Sequence, residues 1–293
     1  MKFKRLALIG CGLMGGSFAL AAREAGLVAQ VAGFSASEST RQKALRLGVI
    51  DIACGSAAEA AQGADLVLLA VPVRATESTL RDVDAVLLPD ALVMDVGSTK
   101  GDVVAAARTA LRQRLANFVP AHPVAGKEVA GIEHADAALY RDHQVILTPL
   151  PENPTARVLL AHQVWQAVGS RVVELSPEDH DASFAAISHL PHLSAFALVN
   201  AVARQPHGAR HLAMAGPGFR DFSRIAASDP SVWRDILLTN RDEVLHQSTL
   251  MREALHELEA AMRAGDAERL QALITEASQT RSRWRLGGAD SDV

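Results

Sequence analysis

Leu6-Ala7-Leu8-Ile9-Gly10-Cys11-Gly12-Leu13-Met14-Gly15-Gly16-Ser17 is an apolar run that breaks into glycines and resumes as a small-residue helical pattern. Four apolar residues in a row predict a buried strand. Gly10, Gly12 and Gly15 match G-x-G-x-x-G, and strand, tight turn and helix in that order predict the first βα unit of a dinucleotide-binding fold. Gly10 would permit the turn, Gly12 would admit a pyrophosphate against the backbone, and Gly15 would let helix and strand pack closely. The helix N-terminus adds free N–H groups and a positive dipole end. The expected cofactor contacts are Gly10, Gly12, Leu13, Met14 and Gly15, with Val71 and Pro72 at the end of a neighbouring strand. The plain alternative is a tight glycine turn without a ligand.

The same stretch has a competing interpretation. Lys2, Lys4 and Arg5 precede the apolar residues, in the outline of a signal peptide, and Leu8-Ile9-Gly10-Cys11 resembles a lipoprotein processing site. Glycines interrupt the apolar run, however, and the sheet implied by the rest of the chain needs this strand. No other stretch is read as approaching the ~20 apolar residues of a membrane helix. Cys11 and Cys54 form no close-spaced pair, so a disulfide framework is not expected and a reducing compartment is the default. A soluble cytoplasmic protein is expected.

Outward from the glycine turn, short apolar runs alternate with helical patterns. Strands are expected at Gln30–Phe34, Asp65–Val71, Ala91–Val96, from Phe118, at Gln144–Thr148 and at Arg171–Leu175. Helices are expected near 14–25, 38–47, 76–87, 102–115 and 155–168. Near-continuous apolar strands joined by helical crossovers predict a doubly wound parallel sheet covered on both faces. Beyond Pro177 strand-like runs cease and helices are expected at 189–203, 232–262 and 267–283. Residues 1–176 are therefore expected to form an α/β Rossmann-type domain and 177–293 an all-helical one, with no room for a further regulatory domain. A formal net charge of −4 gives no electrostatic case for nucleic acid.

The end of the second strand bears on NAD against NADP. An acidic residue there usually meets the ribose 2′-hydroxyl of NAD. Here Gly33-Phe34-Ser35-Ala36-Ser37 offers no carboxylate, while Ser35 is a donor and Arg41 or Lys43 a cation for a 2′-phosphate. NADP is favoured over NAD, with dual use plausible.

Polar clusters stand at predicted strand ends and in the helical part. They are Asp95-Val-Gly97-Ser98-Thr99-Lys100, His122-Pro-Val-Ala-Gly-Lys127-Glu128, Ser188-His189-Leu-Pro-His192, and Gly218-Phe-Arg220-Asp-Phe-Ser-Arg224 with Asp229-Pro230 and Trp233. His189 and His192 lack the further ligands that a metal site requires, so no metal is expected. Together the clusters offer a base, a hydroxyl and cationic anchors beside a nicotinamide site, the equipment for oxidising an alcohol on a polyanionic acid.

In that order, from residue 5 to about 245, these motifs resemble the prephenate/arogenate dehydrogenase family. The resemblance implies a Rossmann domain followed by a helical substrate-binding domain that forms a homodimer. It implies NAD(P)-dependent oxidation and decarboxylation of a cyclohexadiene acid, toward 4-hydroxyphenylpyruvate or tyrosine. His122 would take the proton of the ring hydroxyl. Ser98 would hydrogen-bond His122 or the substrate, and would lie beside the cofactor. Arg224 would bind a carboxylate, His189 would line the pocket, and Lys127 and Glu128 would lie near the substrate side chain, where keto and ammonium substrates differ. An exposed Lys127–Glu128 pair is the plain alternative for those two. A β-hydroxyacid-type dehydrogenase is a second candidate, but it should carry a lysine where Ser188 to His192 stand. A non-catalytic cofactor-binding protein is a third. Arg281, Arg283 and Arg285 suit a helix C-terminus.

Overall fold

The computed structural model describes residues 2–127 and 129–285. Glu128 lies outside the described residues.

β1 (Phe3–Ile9) runs into the glycine turn and α1 (Leu13–Glu24), then β2 (Val28–Phe34), α2 (Glu38–Arg46), β3 (Ile52–Ala53), α3 (Ala57–Ala61) and β4 (Leu66–Leu69). α4 (Thr76–Asp84), β5 (Leu92–Asp95), α5 (Gly101–Leu111) and β6 (Phe118–Val119) follow. Among the described residues these strands form one six-stranded parallel sheet in the order β3-β2-β1-β4-β5-β6. The order reverses between β1 and β4, which opens a crevice at their carboxyl ends, the usual ligand position in such a sheet.

The pleat divides the apolar side chains between two cores. Leu6, Leu8, Leu66, Leu68, Leu92 and Met94 face one side with Phe18 and Trp165. Ala7, Ile9, Val67, Leu69 and Val93 face the other with Leu80, Val83 and Val103. Both faces are thus covered, which explains why these strands read as unbroken apolar runs rather than alternating ones. Leu6 to Ile9 occupy the interior of the sheet and Cys11 is fully buried, so processing at Cys11 would remove a central strand.

Three features depart from the expectations above. First, β7 (Ala121–Pro123), β8 (Gln144–Leu147) and β9 (Arg171–Glu174) form a separate three-stranded sheet, in which β7 pairs antiparallel with β8. Only Pro120 separates β6 from β7; proline has no N–H for a ladder, and the chain changes sheets there. α6 (Thr155–Ala167) connects β8 to β9.

Second, the helical part begins at α7 (Pro177–Phe184) and continues without a break through a π turn at Ala185–His189 into α8 (Leu190–Ala203). Ser176 starts it, accepting a hydrogen bond from Asp179 N, with Pro177 in the first turn. Pro191 cannot donate to the preceding turn, and the widened turn sits directly before it. As one piece, Pro177–Ala203 is long and apolar enough, by length and composition, to cross a membrane; a reading that starts the helix at His189 misses this.

Third, the helix expected over 232–262 is two, α11 (Pro230–Thr239) and α12 (Arg241–Ala264), separated at Asn240. Between α8 and α11 lie α9 (Gly208–Ala213) and α10 (Pro217–Ser223), and α13 (Ala267–Arg283) closes the described chain with Arg281 and Arg283 in its last turn. Among the described residues, those up to Arg241 form one compact unit and those from Asp242 onward a second.

Candidate active site

The glycine turn explains itself position by position. Gly10 has φ +107, and a Cβ there would lie 2.1 Å from the Ala70 carbonyl oxygen across the crevice. At Gly15 a Cβ would lie 2.2 Å from the Gly10 carbonyl oxygen. Gly12, by contrast, would meet no protein atom within 4 Å. Among the described residues nothing requires glycine at that position, whereas a pyrophosphate against the start of α1 would. This fits a dinucleotide at the position the motif implies. The first turn of α1 is fixed from outside by Tyr140, whose hydroxyl donates to the Met14 carbonyl at 2.6 Å. Leu13 is buried, and Val71 and Pro72 follow β4 at the crevice.

At the end of β2, the Arg41 guanidinium lies over the Phe34 ring and donates to the carbonyl oxygens of Ser35 and Ala36. Arg41 and Ser35 are thereby held together, both partly exposed. Lys43 pairs instead with Glu133.

The second cluster lies at the end of β5. Lys100 is fully buried, with Nζ 2.6 Å from Asp95 Oδ2 and 2.8 Å from the Ala121 carbonyl oxygen. Asp95 also accepts from Gly97 N and Ala121 N. This network ties β5 to the first residue of β7 and so places His122. Burial pushes the Lys100 pKa down, against the Asp95 charge that supports it.

His122 is 8% exposed, and its Nδ1 lies 2.8 Å from His180 Nε2. His180 Nδ1 lies 2.7 Å from Asp181 Oδ1. Asp181 in turn accepts from Lys100 N at 2.8 Å and Gly101 N at 2.7 Å. It therefore caps α5 from another helix, where a carboxylate also suits the dipole. Phe184 stacks on the His180 ring and lies 4.6 Å from that of His122. Burial, followed by the fields of His180, Lys100 and His189, lowers the His122 pKa well below the ordinary value. His180 is lowered too, chiefly by burial. Burial works against the Asp181 charge, but hydrogen bonds from His180, Gly101 and Lys100 hold its pKa down.

His189 is 1% exposed, and its Nδ1 lies 3.1 Å from Asn240 Nδ2. The same Nδ2 donates to the Asp181 carbonyl at 2.8 Å, so it is the NH2 of the side-chain amide and His189 Nδ1 accepts. Burial lowers the His189 pKa to about 4. Burial thus disfavours the charged forms of both His122 and His189, and Thr99 is linked to Thr239 of α11 at 3.2 Å.

The other expected residues fall elsewhere. Ser98 is half-buried between Gly97 and Thr99, and among the described residues it makes no hydrogen bond to His122; the His122 partner is His180. Lys127 pairs with Asp136 at 2.8 Å. Arg224 opens a 3-10 turn packed on α8. Its charge acts on His192, whose pKa is lowered mainly by burial and which stacks on Trp233 at 3.4 Å. Glu128 lies outside the described residues. His180, Asp181 and Asn240 were not singled out from the sequence; the only cue was a His-Asp pair one turn into the first helix after the last strand.

Residues 18–174 match the family described as prephenate dehydrogenase, nucleotide-binding domain, and residues 176–276 match prephenate dehydrogenase, dimerization domain. A cyclohexadienyl dehydrogenase of Zymomonas mobilis is 34% identical over 281 residues, covering 95% of each chain. The solved prephenate dehydrogenase of Aquifex aeolicus, in complex with hydroxyphenyl propionate and NAD+, is 34% identical with a TM-score of 0.90, covering 96% of this chain and 98% of that one. The Synechocystis arogenate dehydrogenase structure is 27% identical with a TM-score of 0.82, covering 96% of this chain and all of that one.

Proposed function

The chain belongs to the prephenate dehydrogenase family, and on that premise we propose that it oxidises and decarboxylates prephenate, arogenate or both in tyrosine biosynthesis, with residues 1–176 holding the cofactor and 177–293 completing the substrate site. The observation that carries this reading is the buried His122, its Nδ1 engaged by His180 and its pKa held well below the ordinary value by burial. A general base must be unprotonated to act, and an imidazole with one nitrogen engaged and one available meets that need.

When bound, NAD(P)+ supplies the hydride acceptor. His122 takes the ring hydroxyl proton as the hydride leaves the same carbon. The ring carboxylate then departs as carbon dioxide, its bonding pair enters the ring, and the proton held on His122 returns to the oxygen of the new phenol. Aromatisation favours this last stage, so it asks no metal of the protein. His189 offers its Nε2–H as a donor, because Asn240 occupies Nδ1. Ser98, for which no hydrogen bond is found among the described residues, would donate to the substrate hydroxyl or the nicotinamide amide. Arg224 would take a substrate carboxylate in two-pronged fashion. Lys127, engaged by Asp136, is a weaker candidate for the side-chain end, and Glu128 is kept there on its place in the motif alone.

NADP is favoured over NAD by the pairing of Ser35 with Arg41 at the end of β2 and by the absence of a carboxylate there. A homodimer through the helical domain accounts for apolar side chains left in solvent, among them Ile187, Met214 and Phe222. A cytoplasmic enzyme agrees with two free, buried cysteines.

Incubation with prephenate and with arogenate, followed by product analysis, tests the reading. Carbon dioxide with 4-hydroxyphenylpyruvate or tyrosine is expected. Reduced cofactor without decarboxylation would point to another hydroxyacid dehydrogenase.

A further inference from the structure

The His122–His180–Asp181 chain does more than pack two domains together. A carboxylate only accepts hydrogen bonds, so the nitrogen of His180 that meets Asp181 must carry the proton. With His180 neutral, its Nε2 is then a lone pair. The His122 nitrogen 2.8 Å away must therefore be the donor, which places the His122 proton on Nδ1 and leaves Nε2 unprotonated. Asp181 is itself held by two backbone N–H groups at the start of α5, so its orientation does not depend on the histidines. Lys100 just before α5, Asp95 on β5 and His189 on the π turn are the other ionisable groups acting on this pair, and none of them is hydrogen-bonded to either imidazole.

We propose that His180 and Asp181 are positioning residues: through two successive hydrogen bonds Asp181 sets the tautomer of His122, so that Nε2 is the atom that takes the substrate proton. This rests on the base role given to His122 above. The relay also stabilises the step itself. When Nε2 gains the hydroxyl proton, the imidazolium at His122 still donates from Nδ1 to His180, and the Asp181 charge lies at the far end of the same chain. No proton need leave the site, since the one gained returns to the phenol oxygen.

The test uses the full-length enzyme with three variants. His180→Leu removes the acceptor, His180→Gln supplies an amide oxygen in its place, and Asp181→Asn lets the chain run in the opposite sense. Expected results are a kcat per folded enzyme lowered about 100-fold or more in His180→Leu, with KM little changed, and substantial recovery in His180→Gln. Asp181→Asn should lose up to about ten-thousandfold, the scale seen where a wrong imidazole tautomer disables a base. In parallel, 15N imidazole NMR on the wild type without substrate should show His122 protonated at Nδ1, and at Nε2 in Asp181→Asn. A His122 protonated at Nε2 in the wild type would overturn the proposal, as would His180→Leu with undiminished kcat. The NMR result decides the relay even if the wild type proves inactive on both cyclohexadienes, an outcome that would sink the proposed reaction instead.

Discussion

Lys100 Nζ and Asp95 Oδ2 stand 2.6 Å apart with both side chains buried, and between them they bond the backbone of Ala121, the residue before His122. A buried pair gains little over apolar packing, but removing one partner strands the other charge at a cost of about 3–5 kcal/mol. Lys100→Met should therefore lower unfolding stability by about that amount in urea titrations. A loss below about 1 kcal/mol would mean that the pair does not hold the two sheets in register.

Gly12 and Gly15 should respond oppositely to the same change. Gly15→Ala forces a Cβ to 2.2 Å from a backbone oxygen and should destabilise the fold. Gly12→Ala meets no protein atom, so the melting temperature should hold while NAD(P) affinity falls. Calorimetry with and without cofactor separates the two. Unchanged affinity in Gly12→Ala would remove the pyrophosphate from this turn.

Arg41 offers a cation beside Ser35. If they meet a 2′-phosphate, Arg41→Ala should weaken NADP about tenfold or more, on the order of 1.4 kcal/mol, and leave NAD nearly unaffected. Equal changes for both cofactors would show that Arg41 only shapes the loop through the Ser35 and Ala36 carbonyls.

Acid should destabilise the protein from about pH 6.5 downward, the ordinary histidine value. His122, His180 and His189 all have folded pKa values below it, chiefly through burial. The unfolded chain then binds protons first as pH falls, so stability present above pH 6.5 is lost toward the folded values. His189, at about 4, would alone account for about 3 kcal/mol by pH 4. Urea unfolding between pH 7.5 and 4.5 measures this, and a flat profile would contradict burial of neutral histidines.

The sheet was legible where apolar runs were flanked by glycine or proline, as at Leu6–Ile9 and Leu66–Leu69, because strands buried on both faces leave an unmistakable pattern. The division into two sheets was not, since a single Pro120 separates strands of similar composition. His122 stood out beside its turn motif. His180 did not, because its meaning lies in a contact across 58 residues with no spacing rule to announce it. Asn240 was hidden within a continuous helical pattern, and only the broken helix shows that its amide is aimed at His189 and the Asp181 carbonyl.

The central claim is that His122 is the base of a cyclohexadiene dehydrogenase. Initial rates of reduced-cofactor formation, with prephenate and arogenate each paired with NAD and NADP, test it against a His122→Asn control. Turnover of at least one substrate that falls by about a hundredfold or more in the control is predicted. No turnover in any pairing by a folded enzyme, or a control as active as the wild type, would contradict it.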